Sequence, residues 1–263
     1  MPELPDLTVF ADNLMKRLGG KTITDVIVSP IGSRLYPQTA VADLLISAAV
    51  TSIERNGKEL FFRLSNGGCF STHLMLNGRF AILPKENLSR VDGLLLALVF
   101  EDDQALAISD FQGRAKFTLN PVMPKAPDAL DDSFTYSYFY NYLQKHPRKN
   151  IKDVLVDQHF VRGIGNAYVD EILWRGKVSP MSAAGAIPED YARALYEAIP
   201  ATMNWAIENI RAIAPDIVGG EERSFLQVHN PRKKTTDDGE KILRVSSGGV
   251  SNTYYTAAQK TFM

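Results

Sequence analysis

The spacing of hydrophobic residues divides the chain into a leading helix and a long β-rich stretch. In DLTVFADNLMKRL (6–18), apolar residues recur at helical spacing, and this predicts a helix with Asp6 as its N-cap and Gly19-Gly20 at its end. After it, short apolar or β-branched runs alternate with turn signals such as NGG and EDDQ. They predict the strands of a sandwich or barrel at 21–29, 50–56, 58–65, 69–75, 79–84, 93–101, 104–109 and 116–119.

A Pro-rich, acidic segment separates this stretch from a helical one. We predict a domain at 1–120, a linker at 121–132, a helical domain at 133–224 and a terminal hairpin at 225–263. The last predicted helix carries Pro200, where we expect a kink or a break. The predicted helices are 133–146, 150–157, 166–177 and 188–213, and strand-like text returns at 225–230, 241–246 and 252–256.

Composition narrows the class of protein. The chain has 263 residues, 45% hydrophobic and 22% charged, which is ordinary for a globular protein. No apolar run approaches the ~18 residues of a membrane span, and charged residues interrupt the first helix, so no secretory signal is expected. A lone cysteine, Cys69, excludes an intrachain disulfide framework and a Cys₄ metal site. We therefore expect a cytoplasmic protein without metal or cofactor.

The net charge of -1 argues against indiscriminate binding of nucleic acid, which depends on phosphate neutralisation. It leaves room for a local basic face. The stretches KHPRKNIK (145–152) and NPRKKTTDDGEK (230–241) are the local candidates, although a solvated surface is the usual explanation for such runs.

The opening residues MPELPD suggest covalent chemistry. Because Pro2 is small, we expect removal of Met1, which leaves a secondary amine at Pro2. An α-amino group has a pKa of about 7.7–8.0 and can attack a sugar carbon to form an iminium, with Glu3 beside it as acid or base. The alternative is a stiff leader before a helix, and the hexapeptide alone favours that alternative.

The stretch DQHFVRGIGNAYVDEILWRG (157–176) suggests a phosphate site. Gly163 and Gly165 stand at a turn where backbone can approach a ligand, and the helix beginning at Asn166 offers free N–H groups. Lys149, Lys152 and Arg162 lie just upstream. The alternative is a tight helix–turn–helix packed for its own sake.

Taken together, MPELP, the GK of RNGKELFF, HLMLNG and GIGNAYVDEILWRG resemble the formamidopyrimidine-DNA glycosylase and endonuclease VIII family over essentially the whole chain. The resemblance implies an α+β fold. Its N-terminal β-sandwich has a leading helix, and a helical domain with a helix–two-turn–helix precedes a β-hairpin finger. It also implies an enzyme that repairs oxidised bases, with double-stranded DNA carrying damaged bases or abasic sites as its partner. The protein is expected to be a monomer that does not bind membranes.

The resemblance assigns roles residue by residue. Pro2 matches the nucleophile and Glu3 the catalytic carboxylate. Lys58 and Asn166 match phosphate contacts, and Lys152 is a weaker match for another. In HLMLNG, Leu76 matches the wedge that fills the hole left by an extruded nucleotide, with Met75 second; the alternative is that both are core residues. Arg114, in DFQGRAKF (110–117), is displaced from the pattern of a second wedge loop.

The chain departs from the family at its finger. The region that carries four cysteines in many members has none here, so the finger looks zincless. Anchoring on Thr253-Tyr254-Tyr255, the family's phosphate-clamping arginine falls on Ser251, and recruiting Arg244 or Lys260 breaks that anchor. A serine cannot replace a charge-assisted bidentate contact.

Two hypotheses follow from these matches. The first is a bifunctional DNA glycosylase and abasic-site lyase that acts through a Pro2 iminium. The second is a damaged-DNA-binding homologue with weak or lost catalysis, which Ser251 favours. A sugar- or protein-binding β-sandwich leaves GIGN and PELP unexplained. Lesion choice is expected to depend on the loop at 214–224.

Overall fold

A computed structural model of the chain describes residues 1–247 and 251–263, apart from the side chains of Ser247 and Ser251. These residues form two compact units. The first comprises Met1–Met123 and Ile213–Glu221, and the second comprises Pro124–Ala212 and Glu222–Met263. Within the described ranges, no helix has the length and apolar character that crossing a membrane requires.

The first unit is a helix with two four-stranded antiparallel sheets. The sheet orders are β1-β6-β7-β5 and β2-β3-β4-β8. The predicted strands are confirmed to within two residues at each end. The elements are α1 (Leu4–Leu18), β1 (Ile23–Val28), α2 (Gln38–Leu45), β2 (Val50–Asn56), β3 (Glu59–Leu64), β4 (Cys69–His73), β5 (Arg79–Pro84), β6 (Leu94–Phe100), β7 (Gln104–Ser109) and β8 (Lys116–Leu119).

One apolar core joins both sheets of this unit to α1. Phe62 of β3 stacks on Phe70 of β4 with ring centroids 4.4 Å apart, and Leu98 of β6 belongs to the same cluster. The face of α1 predicted to be apolar, which includes Phe10 and Leu14, is fully buried against it. Burial of that face is what fixes α1 to the sandwich.

Two details of this unit differ from the sequence prediction. Asp6 is not the N-cap of α1, because the helix begins earlier, with Glu3 as N-cap and Asp6 at the third helical position. The short helix α2 was not predicted. Its buried positions are Val41 and Leu45, and one i, i+4 pair is too little periodicity to separate from a loop.

The second unit contains the helices α3 (Tyr136–Lys145), α4 (Ile151–Val156), α5 (Asn166–Arg175) and most of α6 (Glu189–Ile213). It also contains the antiparallel hairpin of β9 (Ile242–Ser247) and β10 (Ser251–Thr256). We call this hairpin the finger. The predicted α+β class, with its β-sandwich, helical domain and hairpin, is confirmed.

Two predictions for the second unit can be compared with the structure. The helix α6 does not break at Pro200, because fully buried neighbours such as Ile199 and Met203 hold it where the proline removes one backbone hydrogen bond; a kink there stays a prediction. Residues 225–230 are not a strand. Leu226 and Val228 are buried in alternation, as in a strand, but the backbone N–H groups around them bond to a carboxylate instead of a neighbouring strand.

Candidate active site and nucleic-acid interface

The start of α1 holds the N-terminal residues in a fixed arrangement. Glu3 caps the helix in an extended conformation and accepts the backbone N–H of Asp6. In return the Asp6 carboxylate accepts the Glu3 N–H at 2.8 Å, which completes a capping box. Pro2 and Glu3 are both buried. The amino group of Met1, in front of them, forms an ion pair with Glu221.

Pro2 lines a cavity of about 260 Å³ in the first unit. Three of the lining residues, Asn77, Arg79 and Glu221, have polar or charged side chains. The complete lining is Pro2, Leu76, Asn77, Gly78, Arg79, Gly220 and Glu221. The cavity therefore joins the N-terminus to the loop after β4 and to the segment that follows α6.

Lys58 is buried immediately before β3. The chain reaches it through a tight turn at Gly57, whose φ of +62° suits glycine. Burial lowers the pKa of Lys58 below its ordinary value of 10.5, and the negative charge of Glu3 partly opposes this shift. Two of the predicted catalytic residues, Glu3 and Lys58, therefore interact electrostatically.

The loop between β4 and β5 exposes an apolar side chain at its tip. Leu76 is 57% exposed, whereas Leu74 is 2% exposed and belongs to the core. Met75 is half-buried and has a φ of +52°, an uncommon conformation for a non-glycine residue. A Cβ at Gly78 would lie 2.2 Å from the Leu74 carbonyl oxygen, so glycine is required to close the turn. Leu76 is thus not a core residue.

The loop after β7 is built around one carboxylate. The buried Asp110 accepts the backbone N–H groups of Gln112, Arg114 and Ala115 at 2.8–2.9 Å. Burial raises the pKa of Asp110, but these hydrogen bonds lower it, and the net result is a pKa below the ordinary value. Arg114 is exposed on this loop, and so is Phe111, at 70%. Phe111 belongs to the DFQGRAKF stretch, but sequence reasoning did not single it out.

In the second unit, the GIGN turn is held by a side chain that precedes it. The Gln158 amide donates to the carbonyl of Ile164 at 2.9 Å and accepts the N–H of Gly163 at 3.0 Å. Gly163 has a φ of +103°, and Gly165 is the N-cap of α5. Asn166 is the first residue of that helix and its side chain donates to the Asn252 carbonyl of the finger at 3.2 Å. The N-terminus of α5 thus lies directly after a glycine turn.

Of the three basic residues predicted upstream, Lys149 is exposed, whereas Lys152 and Arg162 are buried. Lys152 lies 2.7 Å from an Asp170 carboxylate oxygen and 2.8 Å from the Thr253 hydroxyl. Its ammonium therefore ties α4 to α5 and the finger. The Arg162 backbone bonds to Pro127 and Ala129, and its side chain is 5% exposed. Direct phosphate contacts by Lys152 and Arg162 stay predictions.

Carboxylates of α5, and one from the segment before β9, hold the finger in place. Asp170 also accepts the His229 ring nitrogen at 2.7 Å and the Tyr254 N–H at 3.0 Å. Glu171 accepts three backbone N–H groups, from residues 227–229. Burial raises the pKa of Glu171, and those hydrogen bonds oppose the shift. Glu240 accepts the Trp174 indole and the Thr256 hydroxyl.

This network occupies the region where many family members carry cysteines. Among the residues that the structure describes, no group of three or more His, Cys, Asp or Glu side chains is arranged to hold a metal ion. The residues present therefore do not fit a structural zinc, and hydrogen-bonded carboxylates connect the finger to α5 instead.

The predicted replacement of the finger arginine falls on Ser251, whose side chain lies outside the described part of the chain. Arg244 is exposed on β9, paired in register with Tyr254, and donates to the Asn252 side chain at 2.7 Å. Arg244 is thus a basic group on the finger itself.

Sequence reasoning missed two residues of the first unit, Glu221 and His73. Glu221 contacts the N-terminus across a separation of 220 residues, which no local pattern reveals. His73 accepts the Met75 N–H at 3.0 Å through Nδ1. Burial lowers the pKa of His73, with an opposing contribution from Glu59, so the neutral ring is favoured. The histidine stands first in the HLMLNG stretch.

Comparison with known proteins gives matches over both units. Residues 1–117 match the formamidopyrimidine-DNA glycosylase N-terminal domain, and residues 125–214 match the formamidopyrimidine-DNA glycosylase H2TH domain. A formamidopyrimidine-DNA glycosylase of Exiguobacterium sp. is 31% identical over 282 residues, covering 99% of this chain and 100% of the relative. One of Lactobacillus johnsonii is 32% identical over 226 residues, covering 78% and 77%.

A solved structure of Lactococcus lactis Fpg in complex with DNA containing an abasic site has a similar fold. The TM-score is 0.86 at 23% identity, over 99% of this chain and 100% of that one. At that identity the likeness concerns the fold, including the helix–two-turn–helix.

Proposed function

The chain belongs to the formamidopyrimidine-DNA glycosylase family, and we propose that its Pro2 makes it a bifunctional enzyme, a DNA glycosylase that is also an abasic-site lyase. Membership makes it a DNA glycosylase of base excision repair, and its partner is DNA with damaged bases or abasic sites. The finer claim concerns the covalent chemistry of the N-terminus.

The position of Pro2 at a cavity wall is the observation that carries the proposal. Glu3 follows Pro2 directly, is buried, and interacts electrostatically with the buried Lys58. A nucleophile, a carboxylate and a cation are the groups that attack on a sugar carbon requires. A stiff leader would not require a buried acid and a buried lysine beside it.

The proposed reaction begins when the Pro2 amine attacks C1′ of the damaged nucleotide and the base departs. Glu3 assists the opening of the sugar ring and transfers protons. The resulting iminium withdraws electrons and allows β-elimination of the 3′ phosphate. This chemistry requires removal of Met1, because the Pro2 nitrogen is otherwise part of an amide.

Binding in this proposal relies on phosphate contacts and a wedge. Lys58 holds a backbone phosphate near the lesion, and Asn166 with the N–H groups of α5 holds another. Leu76, exposed at the tip of its loop, enters the DNA double helix at the position that the extruded nucleotide has left, with Met75 beside it. Extrusion costs a few kcal/mol, which the wedge helps to offset.

A damaged-DNA-binding homologue without catalysis is the second candidate, because Ser251 stands where the family has its clamping arginine. Arg244, exposed on the finger, supplies a positive charge that supports the enzyme instead.

Strand scission separates the two candidates. Duplexes carrying an oxidised base or an abasic site are incubated with a chain that begins at Pro2 and with the same chain retaining Met1, each N-terminus verified by mass. The enzyme proposal predicts scission by the first chain and none by the second. Equal binding by both chains, without scission by either, would exclude the lyase and leave a binder or a monofunctional glycosylase.

A further inference from the structure

We propose that Glu221 is the ion-pair partner of the Pro2 amine once Met1 has been removed. Glu221 would hold the nucleophile at the cavity and set the pH at which that amine loses its proton. The inference rests on the proposed function of Pro2, and it assigns to Glu221 the role of a positioning residue.

The contact made by Met1 supports this assignment. The Met1 ammonium forms an ion pair with the Glu221 carboxylate, and both side chains are about one-third exposed. The next backbone nitrogen, that of Pro2, follows within about 4 Å along the chain. Both Pro2 and Glu221 line the same cavity. A small rotation of the Glu221 side chain therefore lets its carboxylate meet the new N-terminus.

The segment that carries Glu221 is anchored to the first unit. The Asn13 side chain on α1 donates to the Ile217 carbonyl at 2.9 Å, and Ile217 and Val218 pack against the core. Gly219 lies so close to β5 that a Cβ there would be 2.6 Å from the Phe80 carbonyl oxygen. These contacts keep Glu221 near the N-terminus although it is distant in sequence.

Other charged groups also influence the Pro2 amine. Glu3 follows it directly and Asp6 lies one turn further along α1. On the strands and loops, Lys58 interacts with Glu3 and Arg79 lines the cavity. The capping box commits Asp6 to the Glu3 N–H, and the Lys58 charge opposes that of Glu3. Glu221 is the carboxylate whose contact with the N-terminal ammonium the structure records.

The test measures the reactivity of the N-terminus as a function of pH, without DNA. Wild type, Glu221→Gln, Glu221→Asp and Glu222→Gln are prepared beginning at Pro2. Reductive methylation by formaldehyde is quantified on the N-terminal peptide by mass spectrometry. A carboxylate about 4 Å from an ammonium favours the protonated amine, so Glu221→Gln should move the midpoint down by about one pH unit.

The other variants are matched controls. Glu221→Asp should restore most of the wild-type midpoint, because it keeps the carboxylate. Glu222→Gln should leave the midpoint unchanged, because the Glu222 carboxylate is bonded to the Ser224 N–H. Coincident midpoints for wild type and Glu221→Gln would overturn the assignment.

Borohydride trapping on an abasic duplex over the same pH range separates the two claims. If an adduct forms and Glu221→Gln does not shift its pH profile, the lyase activity is supported and the ion pair is excluded. A shifted methylation midpoint without any adduct would keep the ion pair and remove the lyase.

Discussion

Replacing Asp170 with asparagine should strongly destabilise the second unit. Asp170 is fully buried, with Lys152 at 2.7 Å on one carboxylate oxygen. The other oxygen accepts His229 at 2.7 Å and the Tyr254 N–H at 3.0 Å. The substitution leaves the buried Lys152 ammonium without its counter-ion, since an amide carries no charge.

The expected cost follows from this geometry. Breaking a buried ion pair by removing one partner costs about 3–5 kcal/mol. At roughly 4 °C per kcal/mol for a unit of this size, the melting temperature should fall by about 12–20 °C. Differential scanning calorimetry of wild type and Asp170→Asn measures this directly.

A double-mutant cycle identifies the cause. Lys152→Met combined with Asp170→Asn should cost less than the sum of the two single changes, because neither charge is then left unpaired. Glu189→Gln, which removes an exposed i, i+4 partner of Arg193, should cost no more than about 0.5 kcal/mol. Additive effects in the cycle, or a loss in Asp170→Asn no larger than in Glu189→Gln, would refute the reasoning.

Three further predictions concern DNA. Lys58→Met should weaken binding and reduce the salt slope by about 0.9 for one lost phosphate contact. Burial lowers the Lys58 pKa, with Glu3 opposing, so the affinity of the wild type for DNA should fall as pH rises toward 10.5. Lys58→Arg should keep its charge and its affinity over that range. Parallel pH profiles of the wild type and Lys58→Arg in fluorescence anisotropy would contradict this. Leu76→Ala should slow base excision from duplex DNA about tenfold without changing the stability of the protein, and Val122→Ala, at another exposed position, should leave the excision rate unchanged. Equal single-turnover rates for Leu76→Ala and the wild type would show that Leu76 is not a wedge. Arg244→Ala should weaken binding uniformly across DNA sequences, with a salt slope lower by about 1, and an unchanged slope would exclude a phosphate contact.

The strands of the first unit could be predicted because each is a short apolar run bounded by turn residues. The helix α2 could not, since only Val41 and Leu45 of it are buried. A break of α6 at Pro200 was one expectation, because proline destabilises an isolated helix. In the folded chain, burial of α6 keeps the helix continuous through Pro200. The segment at 225–230 was predicted as a strand because its buried residues alternate, but its backbone N–H groups bond to the buried carboxylate of Glu171 instead of a neighbouring strand.

The candidate site divides in the same way. Pro2 and Glu3 follow from a local motif, because a reactive N-terminus is visible in a few residues, and Lys58 follows from the family resemblance of RNGKELFF. Glu221 and the contacts of Asp170 depend on pairs distant in sequence, such as Asp170 with Tyr254, and only the folded chain brings them together.

The most direct test of the central claim is to locate the covalent bond on the protein. The chain beginning at Pro2 is reduced with borohydride on an abasic-site duplex, digested, and mapped by tandem mass spectrometry. The account predicts a sugar remnant on the Pro2 nitrogen, and none when Met1 is retained. A remnant on Lys58 or another lysine, or an adduct of equal yield with Met1 in place, would contradict it.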